Sequence, residues 1–138
     1  FGHGRKRGTT AWASDFASLP AIGKPATLPF PESDWNSYIY VADLAEEIYQ
    51  LSLKPTLAYR TYNTGGHTLS APQVVAMVRE LLPDAQISFS PEKPNSPFIY
   101  RMDDQRMRQE VGCLLRPMRD AIKAHIEEVH RRESHRRG

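Results

Sequence analysis

The sequence predicts an α/β fold in which short strands alternate with about five helices. Two observations carry that prediction. Residues 36–51, NSYIYVADLAEEIYQL, pass from a β-branched and aromatic run into a helical pattern with no Gly or Pro between. Four further stretches have helical apolar spacing, and strand-like runs or Pro and Gly breaks separate them.

The central stretch organises the rest. Tyr38 to Val41 reads as a strand, and Val41, Leu44, Ile48 and Leu51 then share one helical face while Glu46, Glu47 and Gln50 point elsewhere. Asp43 and Glu46 place negative charge near the first turn, where the helix dipole favours it. A strand that feeds a helix this directly has to bury both itself and one side of the helix.

Taken in order, FGHGRKRG (residues 1–8) is a glycine-punctuated basic loop whose spacing fits neither a dinucleotide fingerprint nor a P-loop. Thr9 or Thr10 can cap a helix through about Leu19, with Trp12, Phe16 and Leu19 on one face and Pro20 and Gly23 ending it. Ala26 to Phe30 is a short strand, and Pro31 to Trp35 a turn. Beyond Pro55, Ala58 to Asn63 is expected as a strand and Asn63 to His67 as a tight turn. Ser70 and Gln73 form a capping box, Leu69 and Val74 a hydrophobic staple, and Val74, Val75, Val78, Leu81 and Leu82 the buried side of the helix that follows. Ala85, Ile87 and Phe89 alternate with polar residues as a half-buried strand. After the proline-rich loop 91–97, Asp103 caps a short helix with Met107 and Val111, ended by Gly112. Pro117 opens the last helix, with Met118, Ile122, Ile126 and Val129 inward.

The 18 Lys and Arg against 16 Asp and Glu leave a formal charge of +2, too little to require a nucleic-acid partner. The basic excess sits at the ends, Arg5 to Arg7 and Arg131 to Arg137. One cysteine, Cys113, rules out an internal disulfide and suits a reducing, cytoplasmic setting. No apolar run is long enough to span a membrane, and no signal peptide is visible. The chain opens with Phe1 inside a loop, so it reads as a piece of something longer. His125 and His130 are five apart, off the spacing that shares a helical face, and no further ligand completes a metal set.

The order of motifs FGHGR, helix, GKP, YIYVADLAEEI, YNTGGHTLS, helix, PDAQISF and DDQRMRQEVG resembles the C-terminal portion of the extended short-chain dehydrogenase/reductases. These are the NAD-dependent epimerases and dehydratases, many of which act on nucleotide sugars. Each motif alone is weak; five or six in order are more specific. The resemblance implies a Rossmann-like family fold with most of the Rossmann sheet missing, residues 1–130 being the substrate-binding portion and 131–138 a disordered basic tail. It also implies NAD or NADP as cofactor of the full-length enzyme. The cofactor half is absent: no GxxGxxG follows a strand, and the positions four after the six tyrosines hold Ala42, Leu44, Leu53, Asn63, Gly66 and Asp104, never the Lys of the family's YxxxK. The chain alone is therefore expected to bind no cofactor and to be inactive.

By the same resemblance, Phe1, Gly2 and His3 match the family loop beside the nicotinamide, with Phe for Tyr and His for Pro. Arg5, Asn36 and Lys93 fall at candidate substrate-contact positions. Asn36 and Lys93 stand where nucleotide-sugar enzymes carry diphosphate-binding arginines, and neither offers the bidentate fork. Arg5, beside the glycines, is the first choice. Each has a plainer reading: Asn36 as a polar strand start, Lys93 as a solvated charge, Asp43 as a helix-start anchor. The missing half would cover the helix from Asp43 and pair the strand at Tyr62. Without it an apolar face and a strand edge stay open, and self-association is expected to cover them. The rival reading is a stand-alone, non-catalytic module that binds an anionic partner through its basic ends.

Overall fold

A computed structural model describes residues 1–3, 8, 10–112 and 115–137. Arg5, Thr9 and Cys113 lie outside the described residues. Five helices, α1 (Trp12–Ala21), α2 (Val41–Ser52), α3 (Ala71–Leu81), α4 (Gln105–Val111) and α5 (Met118–Arg137), are joined by four short strands, β1 (Ala26–Leu28), β2 (Trp35–Tyr38), β3 (His67–Ser70) and β4 (Ile87–Phe89). β1 pairs with β4 in parallel, Ala26 opposite Ile87 and Leu28 opposite Phe89. β2 pairs with β3 antiparallel, Trp35 opposite Ser70 and Tyr38 opposite His67.

The interior forms where α1, α3 and α5 pack around these strands. Phe16 of α1, Leu28 of β1, Tyr38 of β2, Val74 and Val78 of α3, and Ile122 and Ile126 of α5 belong to one buried cluster. Trp12 and Leu19 pack on its border. α3 starts as its capping box requires, the Ser70 N–H donating to Gln73 Oε1 at 2.9 Å. Asp103 takes the Gln105 N–H on its Oδ1 at 2.9 Å, and α4 ends at Gly112 with φ 83°.

Four expectations need correction. Pro20 does not end α1 but sits buried in its last turn, where the only backbone donor it lacks is the one owed to Phe16. The central strand runs Trp35–Tyr38, because Ile39 to Val41 bond to Phe1 instead: the Val41 N–H donates to the Phe1 carbonyl at 2.7 Å and Phe1 N donates to the Ile39 carbonyl. Residues 58–63 form no strand. A strand exists only with a ladder partner, and among the described residues none lies alongside. Finally, α5 continues helically through the segment expected as a frayed tail, with Arg132–Glu128 and Arg136–Glu133 pairs along it.

The apolar stripe of α2 faces out. Val41 and Ile48 are 50% and 57% exposed, while the buried residues of this helix are Asp43 and Glu47. Leu44 and Leu51 of the same stripe are half-buried, Leu44 against a cavity beside the N-terminal loop, so the described residues cover the stripe only in part. No helix among the described residues is long and apolar enough to cross a membrane.

Candidate functional site

A cavity lies where the N-terminal loop meets α1 and α2. Phe1 runs alongside residues 39–41, and its ring packs on Phe16 (5.3 Å between centroids), Tyr40 (5.5 Å) and His125 (5.8 Å). Gly2 follows with no room for a side chain: a Cβ there would collide with Val41 Cγ1. Its carbonyl accepts a hydrogen bond from Ser14 Oγ at 2.6 Å. These contacts bring His3 to a cavity of about 240 Å³, which it lines with Phe1, Gly2, Thr10, Ala13, Ser14, Ile39, Val41 and Leu44. The lining is mostly apolar. His3 Nδ1 and Thr10 Oγ1 are buried there without a hydrogen-bond partner among the described residues, and an unmet polar atom in such a place costs about 1–3 kcal/mol until something bonds to it.

Behind Phe1, His125 is fully buried. Its Nε2 lies 2.8 Å from Ser18 Oγ, and its Nδ1 has no partner among the described residues. Burial first, then His3 and the Phe1 amine, hold the imidazole down to about 4. Burial likewise raises the Tyr40 phenol, and nearby Glu128 adds to the effect. The Arg116 guanidinium lies 5.0 Å over the Tyr40 ring and pairs with buried Asp43 at 2.5 Å. Asp43 thus ties α2 to the segment that opens α5 as well as marking the helix start.

The sequence-derived candidates separate. Phe1, Gly2 and His3 come together at the cavity. Asn36 is 3% exposed and donates its amide to Asp34 Oδ2 at 2.8 Å. Lys93 is exposed on the proline-rich loop, its N–H on the Ser90 carbonyl at 3.1 Å. Neither lines the cavity. Asp34, passed over as a turn residue, is a buried hub: its Oδ1 takes the Ser96 N–H at 3.0 Å and its carbonyl the Ala71 N–H at 2.9 Å. Thr10, Ser14 and Glu47 were also missed, and only the Thr10 capping reading hinted at any of them. Among the described residues no group of three His, Cys, Asp or Glu is placed to hold a metal. What the site offers is an apolar floor with two hydrogen-bonding atoms, a surface for binding and orienting a ligand.

No protein-family model matches the chain, and no curated protein matches it either. Solved structures do. The apo GalE-like L-threonine dehydrogenase from Cupriavidus necator superposes with a TM-score of 0.76 at 21% identity, over 92% of this chain and 49% of that one. The L-threonine dehydrogenase from Phytophthora infestans gives 0.76 at 16%, over 96% and 45%. The UDP-glucose 4-epimerase of Thermus thermophilus, solved in complex with NAD, gives 0.73 at 19%, over 94% and 43%. The chain therefore shares its fold with part of these dehydrogenase and epimerase structures. The chain spans less than half the length of each of these structures.

Proposed function

We infer that this chain is the substrate-binding portion of a cytoplasmic NAD(P)-dependent epimerase, dehydratase or dehydrogenase, and that it shapes the pocket over a nicotinamide held by a separate cofactor portion. The observation that carries this reading is the loop of Phe1, Gly2 and His3, held by Val41 and Ser14 so that two unmet polar atoms border an apolar cavity. The loop packs against the nicotinamide side, Arg5 contacts substrate, and the cofactor portion supplies the acid/base Tyr and the Lys. Alone, the chain neither holds NAD(P) nor turns over substrate.

A sugar or nucleotide-sugar-like substrate is the first reading, in keeping with the motif order. A dehydrogenase whose substrate carries no diphosphate is the second, and one observation favours it: the Asn36 amide is buried on Asp34 and the Lys93 ammonium lies away from the cavity. Both readings are tested by joining the chain to a cofactor portion and assaying UDP-sugars by product analysis, since epimerisation and dehydration return the cofactor to its starting redox state, and short β-hydroxy amino acids by NAD(P)H absorbance. Turnover by the joined protein and none by the 138-residue chain is the expected result. Tight NAD(P) binding by the chain alone would overturn the proposal, and the substrate that turns over chooses between the readings.

A further inference from the structure

We propose that Glu47 is a protonation latch between α2 and α4, keeping residues 58–66 seated on α4 while its carboxyl carries a proton and loosening them when the proton leaves. Glu47 is 3% exposed, and its Oε2 has no hydrogen-bond partner among the described residues. Asp43 stands one turn earlier on α2, and Asp104 stands at the start of α4; both act on the Glu47 charge. Among the described residues, Arg116 is engaged with Asp43 and Arg108 with Asp104 at 2.7 Å. A third carboxylate charge here would be buried beside two others with no counter-ion of its own among the described residues.

The consequence reaches residues 58–66 because α4 is what they rest on. Glu110 Oε2 accepts the Ala58 N–H at 3.2 Å and the Tyr62 hydroxyl at 2.9 Å. The Asn63 amide donates to the Asp103 carbonyl at 2.9 Å. Gly65, at φ 65°, lies so close to Asp104 that a Cβ would collide with Oδ2. The segment has no ladder bonds of its own, so its order follows α4. Further titratable groups stand on the elements around this junction: Glu110 and Arg106 on α4, the latter over the Tyr59 ring at 4.5 Å, Asp103 ahead of α4, Tyr62 on Glu110, and His67, whose Nε2 lies 2.8 Å from the Arg116 carbonyl.

Burial, with Asp104 and Asp43 adding to it, pushes the Glu47 carboxyl up to about 7, which puts the latch near neutrality. The folded value lies above the ordinary one near 4.5. The fold therefore favours the protonated form, and that advantage is complete below 4.5 and gone above 7. None of this depends on the proposed cofactor or substrate.

The test uses the 138-residue chain, with ¹³C carboxyl NMR of Glu47 and hydrogen exchange of residues 58–66 from acidic to neutral pH and above. Glu47 should titrate near 7. Protection of 58–66, corrected for intrinsic base catalysis, should fall on the order of tenfold or more between pH 4.5 and 7 and level off above. Glu47→Gln should remove the pH dependence. Asp104→Asn, which keeps Glu47, should move its midpoint down and the loss of protection with it, and serves as the second arm if Glu47→Gln does not fold. A midpoint in the ordinary carboxylate range, the same pH dependence in Glu47→Gln, or no movement in Asp104→Asn overturns the proposal.

Discussion

His125 packs between Phe1, Tyr40 and Phe16 with no exposed surface, so its proton has to be left outside the fold. Its folded value of about 4 lies below the ordinary 6.5. The stabilising difference is therefore present above pH 6.5 and lost as pH falls through 4, because the unfolded chain takes up the proton first. The shift is worth about 3 kcal/mol at most. We expect His125→Phe to flatten the acid limb of stability between those pH values while costing little at pH 8, where the main loss is the Ser18 bond. Urea denaturation at a series of pH values checks this, and an unchanged acid limb would refute it. At this scale the sequence marked residues 1–8 as a glycine-punctuated loop, and Gly2 does lie too close to Val41 for a side chain. Asp34 and Glu47 were not: a carboxylate in a turn or on a helix looks solvated until its neighbours are known. The burial of the Asn36 amide was hidden for the same reason, its partner Asp34 lying two residues away but inside the core.

Helices with local signals formed as their sequences indicate. The box at Ser70 and Gln73, the stop at Gly112 and the inward row Met118, Ile122, Ile126 and Val129 are all in place. Such signals act within a few residues and need no tertiary context. Strands fared less well, because a strand is defined by its neighbour: residues 58–63 have strand composition and no partner among the described residues, while β3, too short and polar to notice, is strand because β2 lies beside it. The orientation of α2 is a third case, as amphipathic spacing names the apolar side but not what covers it. Its junction with α5 gives a second prediction. Arg116→Ala leaves Asp43, 3% exposed, as a charge without its partner, and should cost about 2–3 kcal/mol, the partial exposure of Arg116 reducing the usual penalty for a broken buried pair. Adding Asp43→Asn should recover part of that loss. Equilibrium denaturation of the single and double variants decides it, and a double variant as weak as the sum of the singles would show the pair to be uncoupled.

At the scale of the whole molecule, one surface has the character of an interior. Val41 and Ile48 face out from α2 at 50% and 57% exposure, Tyr49 at 55%, and Leu53 just beyond the helix at 59%. An amphipathic helix that buries two carboxylic acids and exposes its aliphatic side is built for contact on that side. In the proposed full enzyme the cofactor portion covers it; in this chain, a second copy is the apolar surface at hand. The chain should therefore associate with itself as concentration rises and bind an apolar dye when dilute. Burying an isoleucine is worth about 2 kcal/mol, so Ile48→Lys should weaken that association roughly tenfold or more while leaving the fold intact, since the side chain touches little of its own core. Sedimentation equilibrium with and without the substitution makes the measurement. Joining the cofactor portion should abolish both association through this face and dye binding, which separates a surface awaiting its partner from one that dimerises by design. A chain that stays monomeric at high concentration and binds no dye would mean that the exposed stripe is tolerated by water alone, and the case for a missing partner would then rest only on the likeness of fold.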